Sequence, residues 1–150
     1  MQFRDLTIDD LGEVSELGVR SKATWGYSTE EMAVFAEELT HGPELITQSL
    51  EAIVACANER TVGYFTLVQR QDGSLELDFM FVHPELIGQG VGAAMMHEAL
   101  RLARLHNAEQ LLLIADPNAV GFYERFAAEQ IGEHQSSIPG RRIPVMRIRL

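Results

Sequence analysis

A chain of 150 residues with 46% apolar content is long enough for one domain with a true core and too apolar to be disordered. Twelve basic residues against 22 acidic ones give a net charge of −10, which argues against nucleic acid or an anionic membrane as partner; it suits a cationic or amine substrate, although an ordinary acidic surface explains it as well. The lone cysteine, Cys56, rules out an intrachain disulfide framework or a cysteine zinc site, and no metal centre is expected.

Residues Gln2 to Ile8 read as a short strand. Thr7 or Asp9 can cap a helix running to about Arg20, with Leu11, Val14, Leu17 and Gly18 on one face. Ser28, followed three residues later by Glu31, fits a capping box that opens a second helix carrying Met32, Phe35, Ala36 and Leu39 at helical spacing. Pro43 marks a short helical turn. Ala52 to Ala57, Val62 to Gln69 and Leu75 to Val82 read as three strands joined by tight connections at Asn58-Glu59-Arg60 and Gln71-Asp72-Gly73-Ser74, an antiparallel meander. A helix follows to His106, with Asn107 as its left-handed stop. Gln110 to Ala115 is a short buried strand. Asp116 and Pro117 then open a helix expected to run to about Ala128. Two last strands, Glu129 to Gln135 and Ile143 to Arg149, flank the turn Ile138-Pro139-Gly140. The order is β-α-α-β-β-β-α-β-α-β-β, with no repeat, low-complexity tract or linker, so a single domain over 1–150 is expected. Residues Met1 to Asp5 hold no signal-peptide core, and no run approaches the roughly 18 apolar residues of a membrane span, so the expected location is cytoplasmic.

The chemically informative segment is Val82-His83-Pro84-Glu85-Leu86-Ile87-Gly88-Gln89-Gly90-Val91-Gly92. Its three glycines lie between an apolar strand and a helix rich in Ala, Met and Leu. Glycine lets backbone approach a bulky phosphate, and the free N–H groups at a helix start attract an anion. A P-loop is excluded, because Gly92 is followed by Ala93 and Ala94 and the only lysine of the chain is Lys22. The G-x-G-x-G spacing, preceded by strands and more than one helix, also departs from the dinucleotide fingerprint. A plain strand-to-helix turn would use the same residues.

Over nearly its whole length the chain resembles the GNAT superfamily of acyl-coenzyme A N-acyltransferases. Val82, Pro84, Glu85, Gly90 and Gly92 match the family's loop, with Ile87 in place of the usual Arg or Gln. Asp116-Pro117-Asn118-Ala119-Val120-Gly121-Phe122-Tyr123 looks like the family's Asn-x-x-Ala-x-x-Phe-Tyr segment, with Asp116 in the Asn position. Ser21 to Tyr27 and Ser136 to Arg141 look like segments of an uncharacterised bacterial subgroup. The resemblance implies an α+β GNAT fold, a mixed, mostly antiparallel seven-stranded sheet flanked by about four helices. It implies acetyl-CoA as co-substrate, held by Phe81, Val82, Ile87, Gly88, Gln89, Gly90, Val91, Gly92, Ala93, Asp116, Asn118, Phe122 and Tyr123. The acceptor would be a primary amine of a small molecule. A protein or peptide amine, or a non-catalytic acyl-CoA-binding sensor, are the alternatives. Members of the family often form homodimers.

Direct transfer from a thioester to an amine needs a polarised carbonyl, a base and a proton donor for the leaving thiolate. The resemblance puts the carbonyl near the Val82 N–H and makes Tyr123 the donor; packing beside Phe122 is the plain alternative. Period-2 alternation puts Glu76, Asp78, Met80 and Val82 on one strand face, so Asp78, deeper in the apolar run, is preferred over Glu76 as base, with a solvent-facing sheet edge as the equal alternative. The resemblance implies that Trp25 and Tyr27 form one wall of an acceptor pocket near these carboxylates, with packing under the helical connection as the alternative; the Ser136–Arg142 hairpin forms the opposite wall or is only a tight turn. Cys56, in an apolar run, reads as a structural thiol and gives no support for a covalent enzyme intermediate.

Overall fold

A computed structural model describes residues 1–150. One seven-stranded sheet crosses the molecule in the order β1-β2-β3-β4-β5-β7-β6. Its strands are β1 (Gln2–Asp5), β2 (Glu51–Ala57), β3 (Arg60–Gln69), β4 (Leu75–Val82), β5 (Gln110–Ile114), β6 (Glu129–Gln135) and β7 (Arg142–Arg149). All neighbours pair antiparallel except β4 and β5, which are parallel. The helices are α1 (Leu11–Ala23), α2 (Thr29–Leu39), α3 (Glu44–Thr47), α4 (Val91–Leu105) and α5 (Val120–Glu124), of which α3 is a single turn. None is long and apolar enough to cross a membrane.

The local chemistry explains most of these boundaries. Asn58 and Glu59 both take positive φ, 50° and 61°, so a two-residue turn of the hairpin type links β2 to β3. At the start of α2 the Ser28 and Glu31 side chains each bond the other's backbone N–H, the expected capping box. Asn107 ends α4 at φ 59°. Strand β1 is shorter than expected, because Thr7 caps a 3-10 turn at Ile8–Asp10 that leads directly into α1. Arg4 grips Asp10 through two hydrogen bonds of 2.7 and 2.9 Å, and Thr7 adds its N–H at 2.8 Å.

Apolar residues from the two faces of the sheet form two cores. Leu6, Leu11, Val14, Leu17 and Leu45 pack with Val54 and Tyr64 on the α1 side. The larger core joins Met95, Met96, Ala99, Leu100 and Ala103 of α4 to Phe65, Leu67, Leu75, Leu77, Leu111 and Leu113. Phe65 is wholly buried, and truncating such a ring to Ala costs roughly 3–5 kcal/mol. Cys56 is half-buried beside the smaller core.

The segment expected as one helix from Pro117 to Ala128 is broken. A 3-10 turn covers Pro117–Ala119, α5 lasts only from Val120 to Glu124, and Ala127 takes φ 64°. The Ala128 N–H bonds back to the Tyr123 carbonyl at 3.3 Å, closing the chain into β6 instead of adding another turn.

Candidate active site

The site begins at an irregularity in β4. Thr66 of β3 lies opposite Phe79, while the next residue, Leu67, lies opposite Leu77. Asp78 is therefore the extra residue of a β-bulge. The buried Thr66 hydroxyl accepts the Phe79 N–H at 3.2 Å, holding the bulge in shape. A bulge reverses the inside–outside alternation. Leu75 and Leu77 face the α4 core before it; Met80 and Val82 face that core after it, and Phe79 and Phe81 face α1. Glu76 thus cannot share a face with Met80 and Val82, which corrects the alternation read from the sequence. Glu76 stands instead beside Arg70, at 4.0 Å, and does not line the cavity.

The same point is where the sheet opens. Pairing of β4 with β5 covers only Leu75, Leu77 and the residue between them, after which the strands part. On the β3 side, the His83 N–H donates to the Val62 carbonyl at 2.8 Å and the Phe79 N–H to Thr66. Strand alternation then turns the Met80 and Val82 N–H groups toward the gap, where no strand meets them.

A cavity of about 620 Å³ fills this opening. At one end lie Ile87, Gly88 and Gly90 of the loop before α4 and Gly92 and Ala93 of its first turn, with Val82 and Phe81 of the strand. Gly88 and Gly90 take φ 84° and 89°, the left-handed region that favours glycine. A Cβ on Gly92 would lie 3.3 Å from the Phe122 ring, so glycine also permits α5 to close on α4. Gln89 of the loop and Val91, the first residue of α4, do not line the cavity. Phe122 and Tyr123 form the facing wall, with ring centroids 5.1 Å apart. Burial, and then the charge of Asp116, raises the Tyr123 phenol above its usual value, so it is protonated at neutral pH.

Asp78 opens onto the cavity. Desolvation by the surrounding protein, reinforced by the charge of Glu76, raises its carboxyl to about 6. It is thereby poised to exchange a proton near neutral pH.

The other end departs most from expectation. Trp25 lines the cavity, whereas Tyr27 is not among its lining residues. Its hydroxyl donates to Asp116 Oδ2 at 2.6 Å and accepts from Arg141 at 2.7 Å. Burial, and then Asp116, raises the Tyr27 phenol to about 12. Lys22 reaches the same Asp116 oxygen at 2.7 Å. Asn118 gives its backbone N–H and its amide to Asp116 Oδ1, at 2.8 and 3.0 Å. Burial alone would raise the Asp116 carboxyl; these hydrogen bonds outweigh it and hold the group below its usual range. Asp116 and Asn118 thus line the cavity with their side chains engaged in this cluster. The Ser136–Arg142 hairpin does form a wall, through Ser136, Ser137 and Arg141. Lys22, Phe35 and Arg141 are cavity residues that the sequence did not single out. Lys22 and Asp116 lie 94 positions apart, so only the fold makes them neighbours.

The sequence profile described as Acetyltransferase (GNAT) domain matches residues 13–147. The chain belongs to the GNAT acetyltransferase family. No curated protein matches it in sequence. Among solved structures, the GCN5-related N-acetyltransferase from Rhodopseudomonas palustris superposes with a TM-score of 0.84 at 20% identity, covering 99% of this chain and 95% of that one. The PaiA N-acetyltransferase from Thermoplasma acidophilum, in complex with coenzyme A, gives 0.76 at 19% identity, with 99% and 98% covered. A GNAT family acetyltransferase from Elizabethkingia anophelis with acetyl-CoA bound gives 0.73 at 13% identity, with 99% and 97% covered. At these identities the likeness establishes the GNAT fold, as expected from the sequence: a mixed, mostly antiparallel seven-stranded sheet.

Proposed function

We propose that this GNAT protein transfers an acetyl group from acetyl-CoA directly to a primary amine of a small molecule. The parting of β4 from β5 after Leu77 carries this reading. It leaves a free strand edge leading from the glycine loop to the raised carboxyl of Asp78. The fit to the co-substrate is good. The loop before α4 offers uncapped N–H groups and left-handed glycines for a pyrophosphate, and the strand edge offers N–H and carbonyl groups for an amide-bearing arm. Coenzyme A or acetyl-CoA is bound by the two neighbours named above whose structures hold a ligand.

When bound, acetyl-CoA supplies an activated acyl carbon and a thiolate leaving group. Asp78 accepts a proton from the attacking amine, directly or through one water, as its nitrogen forms the new C–N bond. The Val82 N–H faces the gap and stabilises the negative charge that develops on the carbonyl oxygen. Tyr123 gives its phenolic proton to the sulfur as the C–S bond breaks, and protons then balance by exchange with water. Glu76, off the cavity and beside Arg70, acts on Asp78 through its charge alone. The hairpin that folds over the acceptor end favours a small acceptor over a protein terminus.

The test is release of free CoA thiol from acetyl-CoA against a panel of small amines, with Tyr123→Phe alongside. Amine-dependent release that falls in the variant supports the reading. Release that does not depend on any amine contradicts it.

A further inference from the structure

The acceptor end of the cavity is cationic, in a chain whose net charge is −10. Lys22 and Arg141 converge there from α1 and the β6–β7 hairpin, and their side chains are only 14% and 17% exposed. Lys22 Nζ stands 4.5 Å from the centre of the Phe35 ring, and the Arg141 guanidinium carbon lies 5.3 Å from the centres of both Phe35 and Tyr27. The two cations share one acid: Asp116 is 2.7 Å from Lys22 and 3.8 Å from Arg141. Both Asp116 oxygens already accept two hydrogen bonds each. Glu38 and Asp78 line the same cavity but pair with neither cation, and Glu31 senses Arg141 only from the exposed start of α2.

One positive charge of the cluster is therefore without a partner carboxylate. Enclosing such a charge is costly unless something supplies the missing anion. Arg141 has the donors to receive it. Of its five N–H groups, one bonds Tyr27 at 2.7 Å and one bonds Ser136 at 3.2 Å, which leaves three. A planar guanidinium with free donors, held against the adjoining Tyr27 and Phe35 rings, suits bidentate recognition of a carboxylate.

We propose that the acceptor amine also carries a carboxylate, bound by Arg141 with help from Lys22, while its amino group is turned toward Asp78. The acceptor class is then amino-acid-like. This rests on the acetyltransferase reading above and adds a specificity determinant to it.

The experiment is calorimetric. CoA is titrated into the protein first. Pairs of N-acetyl amino acids and their carboxamides, spanning small, aromatic and acidic side chains, are then titrated into the protein held in excess CoA. The carboxylate member of at least one pair binds about tenfold or more tightly than its amide. Arg141→Gln abolishes the preference and Arg141→Lys restores part of it, with melting curves checking that each variant is folded. Equal affinity within every pair, or no binding of either member, overturns the anion site whatever CoA does. Failure of CoA to bind, with the carboxylate preference intact, overturns the acetyltransferase reading and leaves the anion site standing.

Discussion

Replacing Asp78 by Asn tests the assignment of the base and the physics of the bulge together. A base works only when ionised, and this carboxyl titrates at about 6. A single group of that kind is ~99% ionised at pH 8, half ionised at pH 6 and ~10% ionised at pH 5, so its contribution to kcat/KM falls ~tenfold from pH 8 to pH 5. The acceptor amine titrates far above this range and affects both proteins alike. The ratio of wild type to Asp78→Asn, measured by thiol release at saturating acetyl-CoA, isolates the carboxyl. It is expected to exceed ~100 at pH 8 and to drop ~tenfold by pH 5. Stability moves the other way. The folded state holds this proton more tightly than an unfolded chain with the ordinary carboxyl at 3.8, so stability falls as pH rises from about 4 to 6 and stays lower above. The Asn variant lacks that loss and melts above wild type at pH 7 but not at pH 4. The gain is small, because the carboxyl is open to water in the cleft. A flat activity ratio across the pH range would refute the reasoning.

Other sites give separable outcomes. Tyr123→Phe is expected to lower kcat by ~100-fold or more with little change in the affinity for acetyl-CoA, as measured by steady-state kinetics and calorimetry. Asp10→Asn removes the negative charge of the Arg4 pair and one of its two acceptor oxygens. Arg4, then Thr7, hold that carboxyl down to about 2 against an ordinary 3.8, so its contribution is full above pH 4 and is lost as pH falls toward 2. With Arg4 half exposed, the loss at pH 7 is about 1–2 kcal/mol, or roughly 2–8 °C in Tm, and it fades when the melts are repeated near pH 2. Asp116→Ala leaves Lys22 and Arg141 without their acid, and costs roughly 3 kcal/mol by denaturant titration at pH 7.

Strand β4, with bounds identical to those read from its apolar run, shows where sequence reading succeeds and where it stops. Its ends are local facts: a turn at Asp72-Gly73 and the Pro84 that follows Val82 and His83. The bulge at Asp78 is not local. It depends on which residues of β3 lie opposite, and one inserted residue is enough to send Glu76 to the other face. The broken segment after Pro117 follows the same rule. Phe122, Tyr123 and Phe126 suit a continuing helix, but the need to enter β6 overrides local preference at Ala127. The glycine loop was legible because φ requirements are written in residue type. The Lys22–Tyr27–Asp116–Arg141 cluster was not, since its members come from three separate stretches of chain and carry no spacing signal. Lys22 stood out only as the sole lysine.

The measurement closest to the central claim is isothermal titration of acetyl-CoA into the wild-type protein and into Gly90→Val, with NADH as control. Gly90 sits at φ 89°, where a β-branched side chain is strained, and it starts the helix whose N–H groups face the cavity. Saturable binding of acetyl-CoA but not NADH, weakened at least ~tenfold in the variant, is the predicted result. Absence of acetyl-CoA binding to the wild type would contradict the account.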